Sequence, residues 1–216
     1  MKMRWQIAQW FELRWWKNYL GGKTKEEYLN WKRGYWQNLL QFISNGVKLD
    51  SAKNVADLGC GPAGIFIALP DNKIVAVDPL LDEYETHLPF FKTSDYPNNT
   101  FIESTIEDFS TEKKFDIVFC MNAINHVNNI EKAFETLKKI CADNGVIVLS
   151  IDAHNYSLPK YLFRLLPGDI LHPHQYDLKD YKLLLAKDGW KVSVPYFMKH
   201  EVLFNHYILI ARKESK

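Results

Sequence analysis

The sequence has few cysteines and no long apolar run, and both absences narrow the class of protein. Only three cysteines occur in 216 residues, and none belongs to a CxxC pair, which argues against a disulfide framework and a zinc site. No stretch approaches the length that spans a bilayer, and no segment has the pattern of a cleavable secretion signal. We therefore expect a cytoplasmic protein without a bound metal.

The sequence also lacks an excess of charge of one sign. Lys and Arg number 27 against 26 Asp and Glu, so nothing indicates binding along a nucleic-acid backbone. Residues 1–50 hold nine Lys or Arg but only four Asp or Glu, and basic aromatic helices sometimes lie on membranes. Because acids are interspersed among those cations, we favour neither nucleic acid nor a membrane as partner.

Composition divides the chain into two regions. Residues 1–50 hold six of the seven tryptophans and show two helical patterns, which predict an N-terminal helical lid. In residues 51–216 short β-rich runs alternate with helical stretches, as in a mainly parallel sheet covered by helices on both faces. The predicted strands are residues 54–58, 73–78, 99–103, 115–121, 146–151, 191–197 and 207–212.

The last two predicted strands are joined by a loop without a helix, so they should form an antiparallel hairpin. The predicted fold is therefore α/β: a Rossmann-like, doubly wound sheet of seven strands, mostly parallel, with a C-terminal antiparallel hairpin. A nicotinamide-binding domain would instead be expected to continue with parallel strands.

One motif indicates the chemistry: residues 55–64, VADLGCGPAG, leave the first strand, turn on glycines and enter a predicted helix. Glycine lets the backbone turn tightly and lets a ligand approach where a Cβ would collide. Such turns also serve plain connections, so the motif alone is a weak signal. Asp78 strengthens it, because it ends the next strand about twenty residues on, where a carboxylate can accept both ribose hydroxyls.

The stretch DLGCGPAG closely resembles motif I of the class I S-adenosylmethionine (SAM)-dependent methyltransferases, in particular the type 11, UbiE-like group. FDIVFCMNAINHV, at residues 115–127, is similar to the fourth-strand pattern of that family. The resemblance covers about residues 53–212 and implies SAM as the cofactor. It departs from the family at Thr105, where an acidic residue often contacts adenine, and at Asn125, which replaces a Glu. The implied cofactor-binding residues are Asp57, Gly59, Cys60, Gly61, Asp78, Pro79, Thr105, Ile106, Met121 and His126.

Methyl transfer from a sulfonium needs alignment of donor and acceptor and exclusion of water, and it needs a base only if the acceptor carries a proton. An apolar insert, residues 153–176, follows the fifth strand on the expected substrate side. Its histidines His154, His172 and His174 are the predicted general bases, because imidazole titrates near neutral pH. A structural turn or an HxH metal pair are the competing roles for His172 and His174.

The predicted function is SAM-dependent methylation of oxygen or nitrogen, with carbon as a further option, on a small-molecule acceptor. Three alternatives stay open: a protein or RNA methyltransferase, a non-catalytic SAM-binding module, and a nicotinamide oxidoreductase. The Trp-rich helices would close over SAM and pack a planar or cationic acceptor, although a pure packing role is equally consistent with the sequence.

Overall fold

The structure, a computed structural model, describes residues 2–50, 52, 54–154, 176–202 and 204–214. Two helices come first, α1 (Lys2–Leu20) and α2 (Lys25–Phe42), and the helices α3 (Leu81–His87), α4 (Ile130–Ile140) and α5 (Leu178–Leu185) follow within the α/β region. The strands are β1 (Val55–Leu58), β2 (Ile74–Asp78), β3 (Thr100–Glu103), β4 (Phe115–Cys120), β5 (Cys141–His154), β6 (Trp190–Val192), β7 (Tyr196–His200) and β8 (Phe204–Lys213).

These strands form a single sheet with the order β3-β2-β1-β4-β5-β8, and both β6 and β7 pair with the free side of β8. Strands β1 to β5 run parallel, whereas β8 is antiparallel to β5, β6 and β7. The predicted sheet, mostly parallel and closed by a C-terminal antiparallel hairpin, is confirmed.

The strand predicted over residues 191–197 is divided into β6 and β7, which pair with different parts of β8. Pro195 lies between them, and proline has no N–H to donate to a ladder. The sheet thus keeps seven strand positions, and the last position is occupied by two short segments.

The helix predicted directly after the glycine motif is wrong. Between β1 and β2, where every residue is described, the chain makes two short 3-10 turns, Gly61–Ala63 and Ile65–Ala68. Gly64 separates them with an extended backbone, and the side chain of Asp57 accepts a hydrogen bond from the N–H of Ile65 at 2.9 Å. A buried carboxylate therefore satisfies a backbone donor that a regular helix would have bonded internally.

Two hydrophobic cores lie on opposite faces of the sheet, because successive side chains of each strand point to opposite sides. The first core joins α2 and α3 to the sheet and includes Trp36, Leu39 and Ile43, all buried. The second core joins α4 and α5 to the other face. Helix α2 thus belongs to the main core, and Thr24 caps its first turn by accepting a bond from the N–H of Glu27.

Candidate functional site

A cavity of about 440 Å³ lies at the carboxyl ends of β1, β2 and β4, beneath α1 and α2. Its sheet wall consists of the turns that follow these strands and β3. Its helical wall consists of side chains of α1 and α2: Gln9, Glu12, Trp15, Trp16, Lys32 and Trp36. A volume of this size is typical of small-molecule and cofactor sites.

Nine of the ten predicted cofactor residues line the sheet wall of this cavity; they are Gly59, Cys60, Gly61, Asp78, Pro79, Thr105, Ile106, Met121 and His126. The tenth, Asp57, does not line it. Asp57 is buried under the glycine turn, where burial raises the pKa of its carboxyl to about 7. Its place is therefore structural, because its carboxylate holds the turn from below.

The glycine turn is fixed by backbone hydrogen bonds and by left-handed conformations. The N–H groups of Gly59 and Cys60 both donate to the carbonyl of Val77, at 2.7 and 3.1 Å. Gly59 has φ +70°, and a Cβ there would lie 2.2 Å from the Cβ of Ala123. Gly61 has φ +58°, but a Cβ there would meet only Trp16, at 3.8 Å. Gly59 is therefore required for packing, whereas the open side of Gly61 faces the cavity.

Asp78 presents a carboxylate to the cavity with one backbone donor on each oxygen. Its Oδ2 accepts from the N–H of Gly61 at 2.9 Å, and its Oδ1 accepts from the N–H of Leu80 at 3.0 Å. A carboxylate has about four acceptor positions, so two remain for a ligand such as a diol. Burial, and next the negative charge of Glu12, raise the pKa of Asp78 to about 7.

Strand β4 ends in a constrained turn that sequence reasoning did not single out. Asn122 has φ +55°, and its N–H donates to Ser150 Oγ at 2.6 Å while Ser150 Oγ donates to Asn122 Oδ1 at 2.7 Å. Backbone strain of this kind is concentrated at functional sites.

Buried Glu107, also on the cavity wall, accepts from the N–H groups of Asn128 and Asn129 at 2.7 and 3.0 Å. Asn129 caps α4 by accepting a bond from the N–H of Lys132.

Lys32, on the helical wall, is the residue that the sequence-based prediction missed most clearly. Its Nζ lies 4.5 Å from the ring centroid of Trp36 and 4.8 Å from that of Tyr35. Burial lowers its pKa to about 8, against the opposing effect of Asp57. A signal existed, because Lys32 stands four residues from both Tyr28 and Trp36, within the apolar stripe of the helix.

Two polar groups of α1 also meet the cavity. Glu12 Oε1 accepts a long hydrogen bond of 3.4 Å from the hydroxyl of Tyr84, and burial raises the pKa of Glu12. Gln9 is buried, and its Oε1 has no hydrogen-bond partner among the described residues. An unpaired buried acceptor is unfavourable, so Gln9 Oε1 is suited to a donor that a ligand brings.

Of the three predicted general bases, His154 alone lies among the residues that the structure describes. His154 is described at the end of β5; it is buried, its ring centroid lies 4.5 Å from that of Phe204, and it is not among the residues that line the cavity. His172 and His174 lie outside the described residues. The roles of all three stay predictions.

A separate polar cluster lies at the start of β8, and the sequence did not reveal it. His206 is paired in register with Asp152 of β5. Its Nδ1 contacts Asp152 Oδ1, and its Nε2 lies 3.4 Å from Glu201 Oε2.

Within the described part of the chain, no three His, Cys, Asp or Glu side chains are arranged to hold a metal ion. None of the described helices is long and apolar enough to traverse a bilayer.

Comparison with known proteins points to one family. A family model described as a methyltransferase domain matches residues 28–193. A ubiquinone biosynthesis O-methyltransferase of Rickettsia conorii is 28% identical over an aligned length of 194, and the match covers 76% of this chain and 63% of that protein. The chain therefore spans slightly less than two thirds of the length of that relative.

Two solved structures share the fold. A SAM-dependent methyltransferase of Thermotoga maritima has a TM-score of 0.63 at 16% identity, with 98% of this chain and all of that chain covered. Magnesium protoporphyrin IX methyltransferase of Synechocystis, with bound S-adenosylhomocysteine (SAH), has a TM-score of 0.58 at 16% identity and covers 84% of this chain. The alignment covers 83% of that protein.

Proposed function

We propose that this chain methylates an oxygen or nitrogen of a small organic acceptor in the cavity beneath α1 and α2. The chain belongs to the methyltransferase domain family and is a SAM-dependent methyltransferase. The observation that carries this proposal is the placement of opposite charges in one cavity. Asp78 supplies the only aspartate, and Lys32 the only lysine or arginine, among the described lining residues.

The described residues fit SAM. The two free acceptor positions of Asp78 match the ribose hydroxyls, and the open side of Gly61 leaves room beside them. Thr105 and Ile106 would flank the adenine. Lys32 would bind the carboxylate of the methionine part, because a buried ammonium needs an anion. When bound, SAM supplies a methyl group on a sulfonium, which is an electrophile without further activation.

The acceptor would lie against the aromatic part of the helical wall. Trp15, Trp16 and Trp36 line the cavity, and such rings favour a planar or apolar molecule. The R. conorii relative is an O-methyltransferase by name, which supports oxygen as the accepting atom. Deprotonation by His172 or His174 stays a prediction, whereas His126 is the one imidazole on the described cavity wall.

Helix α1 would act as the lid over the cofactor. It precedes the residues that the family model matches, yet it contributes Gln9, Glu12, Trp15 and Trp16 to the cavity. Its polar attachment to the α/β region, the 3.4 Å bond from Tyr84 to Glu12, is long. A ligand that donates to Gln9 Oε1 would strengthen this closure, because that acceptor is buried and the described part of the chain offers it no partner.

The first experiment is calorimetry with SAH and with NADH on the wild-type protein. We expect SAH to bind and NADH not to bind. The same measurement is made on the variant D78N, and D116N is its matched control. Asp116 also accepts a hydrogen bond from a backbone N–H, that of Asn54, but it does not line the cavity. Selective NADH binding would refute SAM as the cofactor. Undiminished SAH affinity in D78N would refute the assignment of Asp78 to the binding site.

The second experiment tests transfer. Purified protein is incubated with methyl-labelled SAM and a panel of phenols, carboxylic acids and amines, and label in the extracted small molecules is counted. Labelling of a phenol class above the others would support oxygen methylation. Tight SAH binding with no labelled acceptor, and with label in protein or RNA instead, would contradict the small-molecule proposal while leaving the cofactor site intact.

A further inference from the structure

Helix α1 has two distinct faces. An α-helix advances by about 100° per residue, so positions 9, 12, 13, 16 and 20 share one side. That side is covered, because it lines the cavity or packs on the core. The rest of the helix surface includes Ile7, Trp10, Phe11, Arg14, Trp15 and Lys17, which we call the outward face.

The outward face is unusually apolar for a surface. Trp10 is 54% exposed, Trp15 51%, Phe11 43% and Ile7 41%. Grouped exposed side chains of this size mark interaction sites in soluble proteins, whereas isolated ones need no explanation. Trp15 also stacks on Tyr19 with ring centroids 4.8 Å apart, and Lys23 Nζ lies 3.9 Å from the Tyr19 ring centroid. The aromatic surface therefore continues to the C-terminal end of the helix, where Lys23 adds another cation.

The charges on this face all have one sign. Arg14 lies over the ring of Trp10, with 5.3 Å from its guanidinium carbon to the ring centroid, and Lys17 is exposed. The single acid of α1, Glu12, points the other way, to the cavity and to Tyr84. The sequence-based preference against a membrane relied on acids interspersed among the cations, and the structure removes the one acid of α1 from the outward face.

We propose that the outward face of α1 docks on a lipid surface that contains anionic lipids. Tryptophan and phenylalanine are the side chains that enter the boundary between headgroups and acyl chains, and neighbouring Arg and Lys bind lipid phosphates. A helix that lies in the plane of the surface needs no spanning segment, in agreement with the described helices. Trp15 belongs both to this face and to the cavity wall, so docking places the cavity beside the lipid.

Vesicle sedimentation tests this proposal directly. The purified protein is spun with phosphatidylcholine vesicles and with vesicles in which about a third of the lipid is phosphatidylglycerol. We expect binding to the anionic vesicles, weakened by added salt, since polybasic contacts are screened. The double charge reversal R14E/K17E should weaken partitioning by at least about tenfold. The apolar double variant W10A/F11A should weaken it by a similar factor.

Matched controls separate this face from the rest of the surface. Lys113 and Lys179 are exposed lysines, and Leu183 and Phe197 are exposed apolar residues, all away from α1. The variants K113E/K179E and L183A/F197A should partition like the wild-type protein. All four variants should keep wild-type SAH affinity, because none of the substituted residues lines the cavity.

Three results would overturn the proposal. These are no vesicle binding, equal binding to neutral and anionic vesicles, and losses in the control variants as large as those in the α1 variants. Sedimentation velocity without lipid adds a further test. A dimer that W10A/F11A dissociates would assign the outward face to a second copy of this chain instead. Because SAH affinity is measured separately, failure of docking leaves the methyltransferase proposal unaffected.

Discussion

The sheet wall and the helical wall of the cavity are built by different means. The sheet wall relies on backbone: left-handed conformations at Gly59, Gly61 and Asn122, and N–H donors that close onto buried carboxylates. The helical wall relies on side chains, among them a lysine held between aromatic rings and two polar groups of α1. A backbone wall tolerates few changes, whereas a wall of side chains is readily altered by substitution.

Helix α1 also differs from the rest of the cavity wall in what is shared with relatives. The family model matches residues 28–193, so it includes the glycine turn and α2 but not α1. The shared part holds the residues that suit a cofactor common to the family. The part outside the match contributes half-exposed tryptophans, which suit a function particular to this chain. We therefore expect changes in the sheet wall to act on the cofactor and changes in α1 to act on the acceptor or on docking.

The largest effect should come from the sheet wall, through G61A. The added Cβ has space in the free protein, with Trp16 at 3.8 Å, but it projects into the cavity where the cofactor would lie. We expect SAH affinity to fall on the order of 100-fold, measured by calorimetry. The positive φ alone costs about 1–2 kcal/mol of folding free energy.

The control for G61A is G189A, since Gly189 also has a positive φ, of +78°, with nothing within 4 Å of an added Cβ. This control should show the same loss of thermal stability without loss of SAH affinity. Equal SAH affinity in the two variants would show that Gly61 does not face the cofactor.

The next effect, also in the sheet wall, is that of D78N. Loss of a charged acceptor typically costs about 1.5–3 kcal/mol, so we expect SAH affinity to fall about 10- to 100-fold. The amide has a single acceptor oxygen for the two backbone N–H groups that bond to Asp78, so we also expect D78N to lower the free energy of unfolding by about 1–3 kcal/mol while the protein stays folded. A D78N protein that unfolds, rather than one that fails to bind, would contradict this assignment.

The raised pKa of Asp78 gives SAH binding a pH dependence. Ribose hydroxyls donate to the ionised carboxylate, so the pKa of the complex should lie below the value of about 7 in the free protein. Binding then releases a proton near neutrality, and affinity rises with pH by up to about tenfold per pH unit until about pH 7. Calorimetry in buffers of different ionisation enthalpy measures the number of protons released on binding. The D78N variant should release none.

The stability of the free protein should change in the opposite direction. Burial raises the pKa of both Asp57 and Asp78 from 3.8 to about 7, so the folded state binds more protons than the unfolded chain between these values. Their contribution to the free energy of unfolding is therefore largest below about pH 4 and declines as pH rises to about 7. The measurement is the thermal midpoint as a function of pH. If the midpoint depends on pH as strongly in D57N and D78N as in the wild-type protein, these carboxyls are ionised over the whole pH range.

A smaller effect should come from the helical wall, through K32M. If Lys32 binds the methionine carboxylate, SAH affinity falls by about tenfold, whereas affinity for 5′-methylthioadenosine, which lacks that carboxylate, is unchanged. Lys113 also lies over an aromatic ring, that of Phe115, but outside the cavity, so K113M is the control. Equal losses for both ligands in K32M would assign Lys32 to packing alone.

The difference between the walls also explains what the sequence could predict. Glycines and Asp78 occupy positions that strand boundaries determine, so nine predicted residues could be placed on one wall from local pattern alone. The helical wall depends on how α1 and α2 pack on the sheet, which is a long-range property. Glu12 therefore resembled an ordinary surface charge, and the position of Lys32 within the apolar stripe of α2 did not by itself show that a cavity lies beside it.

The errors of the prediction have local physical causes. The helix expected after the glycine motif is replaced by 3-10 turns, because Asp57 takes the N–H of Ile65 and Gly64 is extended. The strand expected over residues 191–197 is interrupted at Pro195. Both errors occur where a side chain or a proline changes the backbone hydrogen bonding, which hydrophobic periodicity does not report.

The smallest effect should come from the bond that joins the two walls. Trp36 Nε1 donates to the carbonyl of Ala63, in the glycine turn, at 2.9 Å, and W36F removes this donor while keeping an aromatic ring. We expect a loss of about 1–2 kcal/mol in the free energy of unfolding, measured by urea denaturation. The control W31F changes an exposed tryptophan and should stay within about 0.5 kcal/mol of wild type. A W36F protein as stable as W31F would mean that the walls are held together by apolar packing, with no measurable part for this hydrogen bond.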